Sequence, residues 1–297
     1  MWDLSVSFVN SSLKFFSGLD EAFKTLKDIG YDAVCPSESI PNGDRQGYID
    51  ALKNASKKHG LKINMLHLPI VCEQPTEVFL GEKFFQEMVN YIDLAEKIGC
   101  RYAVVHPHMP WKREFFPMEE KFDYSKIRER CEEINFEFFT RLQPYAVNSG
   151  VDLAIENIYT TDSEYREQLV SGCSDVDEWI KYVDTLGKGF CACLDTGHAN
   201  LTHKDDKVLN ETVEKLGSRL KTLHVNQNYG KFSNYGDFHL SPLAGDIDLV
   251  GFAKTLKKTG YDGDFNYEVI LSTVDKEVFL AELKYLKVFT DYLYKQI

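Results

Sequence analysis

The decapeptide ACLDTGHANL, Ala192 to Leu201, sets an aspartate and a histidine three residues apart directly after the apolar run GFCAC. An aspartate at the end of a core strand is costly unless something pairs with it. Other apolar runs in the chain end in the same kind of residue. INMLHLP ends near His67, YAVVHPHMPW at His106 with His108 just beyond, and VDLAIENIY at Glu156 and Asn157. LKTLHVNQN offers His224 and Asn226 on one face by period-two alternation, YGDFHLSP adds Asp237 and His239, and FNYEVILS carries Glu268. Taken singly, each has a structural explanation: a hydrogen-bonded histidine, a snorkelling glutamate, or, for Asp195, the cap of the next helix. Together they do not. Carboxylates gathered at one buried site repel one another and take up protons unless a cation holds them. Carboxylate with imidazole suits Zn²⁺, Mn²⁺ or Fe²⁺ better than Ca²⁺. Asp195 thus reads as a metal ligand. His198, about one helical turn on, reads as a ligand or a substrate hydrogen-bonding group.

The elements that would position these side chains repeat along the whole chain. Strand candidates are Leu4–Val9, Ala33–Pro36, Ile63–Leu68, Tyr102–His106, Asp152–Glu156, Gly189–Leu194, Thr222–Val225 and Asn266–Ile270. Between them lie stretches with apolar residues at helical spacing, among them Leu19–Ile29, Phe84–Ile98, Tyr124–Ala146, Val176–Thr185 and Val278–Tyr294. Gly30, Gly60, Gly99, Gly150 and Gly260 stand where such helices should stop. Eight βα units, with near-continuous apolar strands, predict a single (β/α)8 barrel over residues 1–297. The other arrangement compatible with the alternation is an open doubly wound sheet. The GxGxxG turn of a dinucleotide site is missing after the first strand. In a barrel, active sites gather at the carboxyl ends of the strands, which is where five of the eight histidines fall.

Bulk composition narrows the partners. The net charge of −12 argues against nucleic acid, because phosphate binding needs a basic face. No apolar run approaches the roughly 20 residues of a membrane span. The start, MWDLSVSFVN, lacks the basic region of a secretory signal, and the seven cysteines are scattered without a CxxC pair. The expectation is a cytoplasmic protein with reduced thiols. A homodimer is the expected assembly if there is one.

With HPHMP, AIENIY, CLDTGHAN, LHVNQN, the Asp237–Asp248 segment and YEVI in this order, nearly the whole chain resembles the xylose isomerase-like TIM-barrel superfamily, in its sugar phosphate isomerase/epimerase branch. The resemblance implies a mononuclear metal site of Glu156, Asp195, His224 and Glu268, holding one divalent ion (Mn, Zn, Co or Fe) with no organic cofactor. It also implies Glu156 and Glu268 as the acid/base pair and His198 as a substrate contact. The expected reaction is isomerisation or epimerisation of a small carbohydrate, by proton transfer next to a carbonyl through an enediolate. A lyase of the inosose dehydratase kind would use the same intermediate. Substrate-binding candidates are His67, His106, Trp111, Asn226 and His239. Residues Trp111 to Asp123 form a long loop suited to a lid or an interface. Abasic-site endonucleases of the endonuclease IV type share the superfamily and use three zinc ions. Their further ligands resemble His67, His106, His198, Asp237 and His239, so a zinc phosphoesterase stands as the alternative. Against it, the Gly-rich segment after DxH is reduced to SPLAGDID. Against an ordinary ketose 3-epimerase, NQNYGK lacks the arginine those enzymes place after the histidine, and Lys231 is a point charge, not a bidentate fork. No phosphate cradle is evident, which favours an unphosphorylated sugar. A carbohydrate-binding barrel without activity is the third possibility.

Overall fold

Left-handed glycines punctuate the chain where the sequence places them. Gly30, Gly60, Gly99 and Gly260 each end a helix at positive φ, as does Gly150. Each lets the chain turn sharply back toward the next strand without a Cβ penalty. The computed structural model describes residues 1–37, 44–70, 75–109, 124–159, 172–230, 236–272 and 274–297. The strands are β1 (Leu4–Val9), β2 (Cys35–Ser37), β3 (Met65–His67), β4 (Tyr102–Val105), β5 (Asp152–Glu156), β6 (Phe190–Asp195), β7 (Leu220–His224) and β8 (Phe265–Tyr267). The helices between and after them are α1 (Leu19–Ile29), α2 (Arg45–His59), α3 (Thr76–Phe79), α4 (Glu82–Ile98), α5 (Tyr124–Ser149), α6 (Val176–Leu186), α7 (Thr196–His203), α8 (Asp206–Leu216), α9 (Leu249–Thr259) and α10 (Lys276–Gln296).

All strand pairs are parallel. One ladder runs β2-β1-β8 and another β3-β4-β5-β6-β7. Single parallel bridges, Ala33 to Lys62 and Val225 to Tyr267, join the two into a closed ring. This is the (β/α)8 barrel that the βα repeat predicts. β8 is shorter than its apolar run because the chain changes partners after Tyr267: Glu268 N bonds Val225 O, whereas Ile270 N bonds His239 O in the loop after β7. β7 begins at Leu220, earlier than expected, and is out of step with β6 between Ala192 and Cys193. The irregularity leaves Asp195 paired with His224 at the strand ends.

Alternation sorts the strand side chains. Cys35, Met65, Tyr102, Val104, Ala154, Cys191 and Cys193 pack together inside the ring, and the larger core lies between strands and helices. Two residues on from Met65, Val104, Ala154 and Cys193 come His67, His106, Glu156 and Asp195, so the polar residues form the next inward layer up. The six described cysteines are buried. Among the described residues no helix is long and apolar enough to cross a membrane.

The opposite end of the barrel carries a stability cost. Asp264 is buried, and its Oδ1 accepts from Asn64 Nδ2 at 2.7 Å while Oδ2 has no hydrogen-bond partner. Burial raises its pKa from 3.8 to about 6, against the Asn64 hydrogen bond. Between those values the folded state binds more protons than the unfolded one. Stability therefore falls as pH rises through the window, and the cost is fully present above pH 6, on the order of 3 kcal/mol. Asp264→Asn keeps the acceptor for Asn64 and removes the charge. Its melting temperature should exceed that of the wild type at pH 8 and match it at pH 4; an equal difference at both pH values would contradict this account.

Candidate metal centre

Glu156 is the hub of the polar layer. It is fully buried at the end of β5, and four histidines reach it from four other strand ends. His67 Nε2 is 3.6 Å from Oε2, His106 Nε2 3.2 Å, and His224 Nδ1 3.1 Å, while His198 Nδ1 is 3.3 Å from Oε1. His224 Nδ1 is also 3.0 Å from Glu268 Oε2. Beyond them, Asp237 Oδ2 lies 2.9 Å from His198 Nε2 and 2.7 Å from His239 Nε2. Neither oxygen of Glu156, neither ring nitrogen of His224 and not His67 Nε2 has a hydrogen-bond partner. The atoms are close but not aligned for hydrogen bonds, which is the arrangement a shared cation satisfies and a proton does not.

The ring orientations support that fit. His67, His198 and His239 each turn Nδ1 to a backbone carbonyl, of Leu68 (2.6 Å), Asn157 (2.8 Å) and Glu268 (3.0 Å). A carbonyl only accepts, so Nδ1 donates; in the neutral ring Nε2 then carries the lone pair, beside Glu156 in His67 and beside Asp237 in His198 and His239. Fixing a tautomer in this way is how proteins orient imidazole ligands. Among the described residues, ligand atoms within 4.8 Å of one another form five overlapping groups: Glu156, Asp195, His224 and Glu268; His67, His106 and Glu156; and His198, Asp237 and His239; with His67, His224 and Glu268, and Glu156, Cys193 and His224, sharing members of the first two. The first is the tetrad implied by the family resemblance. The second and third gather the five remaining residues named for a multi-zinc site.

Local structure explains how each residue is held. Asp195 ends β6 and caps α7, its Oδ1 accepting from His198 N at 2.7 Å, so the capping and ligand readings describe one residue. Its backbone is gripped by the Asn157 side chain, which accepts from Asp195 N (2.7 Å) and donates to Asp195 O (3.0 Å). Its Oδ2 accepts from Asn226 Nδ2 at 2.6 Å. Gln227 secures the segment after His239 through Pro242 O, Ile247 O and Ile247 N, and Asn228 donates to Gly197 O. His239 itself sits at φ 44, a left-handed conformation uncommon for histidine, held by the Gln227–Leu240 backbone pair beside it. The grips of Asn157, Gln227 and Asn228 escape a reading of the sequence, because each runs to backbone brought near only by the fold.

Charge and burial pull in opposite directions here. Burial acts to raise the Glu156 pKa, but His224 and His106 together hold it well below the carboxylate range. Glu268 is likewise drawn down, to about 2, mainly by His224 against burial. Asp195 goes the other way, to about 6, because burial outweighs His198. Burial depresses His106, whereas Asp237 lifts His239 to about 10 despite burial.

Above the layer opens a pocket of about 180 Å³. His67, His106, His198, Asp237, His239 and Glu268 form its polar side; Ile70, Met109, Ile158 and Tyr159 form an apolar wall, with the Tyr159 ring 5.4 Å from that of His198. His108 faces elsewhere, stacked on Phe79 with Nε2 3.0 Å from Thr76 Oγ1. Asn226 is 1% exposed, its amide directed to Asp195. Trp111 and the rest of its loop lie outside the described residues, as does Lys231.

A family model described as a xylose isomerase-like TIM barrel matches residues 23–288. An uncharacterized protein of Methanocaldococcus jannaschii is 24% identical over 280 residues, 91% of each chain. Among solved structures, a D-tagatose 3-epimerase-like protein is 19% identical with a TM-score of 0.70, covering 99% of both chains. The 3-keto-D-glucoside 4-epimerase of E. coli is 15% identical with a TM-score of 0.71, covering 97% of this chain and 100% of that one. An L-ribulose 3-epimerase is 16% identical with a TM-score of 0.70, covering 99% and 95%. At such identities these structures are likenesses of fold.

A ligand that binds only the folded chain at a hundred times its dissociation constant adds about 2.7 kcal/mol of stability. Mn²⁺, Co²⁺ or Zn²⁺ should therefore raise the melting temperature of chelator-treated protein by several degrees, and Glu156→Gln should abolish the rise. A wild-type curve unmoved by all three ions would contradict the metal centre.

Proposed function

The chain belongs to the xylose isomerase-like TIM-barrel family, and from that premise we propose that it is a divalent-cation-dependent isomerase or epimerase of a small, unphosphorylated carbohydrate. The observation that carries the reading is the pair of carboxylates, Glu156 and Glu268, brought to 3.1 and 3.0 Å of one nitrogen of His224, with Asp195 completing the group. The sugar epimerases among the similar folds support the substrate class.

Glu156, Asp195, His224 and Glu268 would hold the ion. When bound, it supplies Lewis acidity toward a carbonyl oxygen and the adjacent hydroxyl, making the neighbouring C–H more acidic. The protein's own groups move the proton. Glu268 lines the pocket and Glu156 lies beneath it, so the two carboxylates stand at different depths beside the reacting carbon. One removes the proton to give the enediolate, and the other, or the same one, returns it. Return to the opposite face is epimerisation; return to the neighbouring carbon is aldose–ketose isomerisation. Loss of a neighbouring hydroxide instead is the lyase outcome. His198 and His106 line the pocket and would meet the substrate oxygens, and the wall of Ile70, Met109 and Tyr159 would cover the apolar face of the sugar and exclude water.

A second reading, phosphoester hydrolysis at a zinc cluster, is favoured by one feature: the His67/His106/Glu156 and His198/Asp237/His239 groups stand directly beside the tetrad. There the flanking histidines would be ligands and not substrate contacts.

Incubation with a panel of ketoses in D₂O separates the two. The first reading expects deuterium at the carbon next to the carbonyl, with the rate falling about 10²- to 10⁴-fold in Glu268→Gln. Absence of exchange with every sugar, together with zinc-dependent hydrolysis of a simple phosphodiester, would transfer the assignment to the second.

A further inference from the structure

We propose that Asn226 is a positioning residue that fixes the Asp195 carboxylate for cation binding, an inference that rests on the cation-dependent reading above. Asp195 is fully buried, and a buried carboxylate rotates unless donors hold both oxygens. His198 N supplies one donor, to Oδ1 at 2.7 Å. Asn226 Nδ2 supplies the other, to Oδ2 at 2.6 Å. With the Asn157 grip on the Asp195 backbone, the two donors leave the carboxylate one orientation, toward Glu156, His224 and Glu268.

Asn226 is itself built in. Thr196 Oγ1 donates to Asn226 O at 2.7 Å and accepts from Asn226 N at 3.1 Å. Its amide packs against Gly197, where a Cβ would stand 1.9 Å from Asn226 Oδ1 and 3.0 Å from Asn228 Nδ2. Gly197 sits in the first turn of α7 without the positive φ that favours glycine, so space for the Asn226 amide, and beside it that of Asn228, accounts for the glycine there. The same Nδ2 lies 3.5 Å from His239 Nδ1, so one amide stands between the tetrad and the neighbouring group. Asn226 thus acts on the bound cation through Asp195.

The test is Co²⁺ titration of the full chain, followed by the visible absorption of the bound ion, with melting in excess EDTA as the measure of folding. Loss of a group that orients a metal ligand weakens binding about 10- to 100-fold. Asn226→Leu, which keeps the branched shape and removes the donor, should weaken cobalt binding by that factor and shift the bound-ion spectrum, with little change in EDTA melting. Gly197→Ala should do the same by displacing the amide. The two effects should not add: Gly197→Ala/Asn226→Ala should bind no more weakly than Asn226→Ala alone. Wild-type affinity in both Asn226→Leu and Gly197→Ala, or additive losses in the double variant, overturns the proposal. Should Asn226→Leu fail to fold, Gly197→Ala decides alone. A wild-type chain that binds no Co²⁺ overturns the cation reading with it, whereas binding that the variants leave untouched overturns only the role of Asn226.

Discussion

A carboxylate buried without a hydrogen bond to either oxygen is the constraint on which the rest of the site depends. Glu156 is fully enclosed, and removing a lone carboxylate from water costs several kcal/mol even after relaxation. The surroundings respond with a ring of imidazoles, contributed by β3, β4, β6–α7 and β7, and with a second carboxylate, Glu268, across His224. Such a cluster is poorly satisfied by protons alone, because the contacts are short and badly aligned. A divalent ion offers the missing interaction, and proton release on binding would follow from the ring and carboxyl groups it displaces.

The barrel makes this affordable by placing the polar layer on a dry, packed floor. Met65, Val104, Ala154, Cys191 and Cys193 fill the interior below. The irregular step between β6 and β7 brings Asp195 and His224 level. Above the strands, amides take over from the ladder. Asn157, Asn226, Gln227 and Asn228 tie the α7 turn and the loop after β7 to the strand ends, by bonds to backbone that a rigid constellation requires.

Much of this was legible in the sequence for a physical reason. Strand direction, period-two alternation and glycine helix stops are local properties, and in a parallel barrel they suffice to place His67, His106, Glu156, Asp195, His224 and Glu268 in one layer. The limits of β7 and β8 were not legible, because they depend on which neighbour each backbone group finds: Glu268 N turns to Val225, and Ile270 N leaves the sheet for His239. Asn157 went unassigned because its partners are the backbone atoms of Asp195, 38 residues away. Asn226, a substrate-binding candidate on the His224 face of its strand, directs its amide to Asp195, a distinction that only three-dimensional distances make. His108 follows the same pattern in reverse: its spacing in HPHMP brings it beside the site in sequence, while the fold turns it onto Phe79.

The central claim is that these residues form a metal centre organised around Glu156. Elemental mass spectrometry of protein purified without added metal tests it most directly. The account predicts at least one Mn, Fe, Co or Zn per chain, lost in Glu156→Gln; close to three zinc per chain, falling when His67 or His106 is replaced, would fill the tetrad and both flanking groups and favour the hydrolytic reading. No metal in the wild type, even after reconstitution with an excess of each ion, would contradict the account.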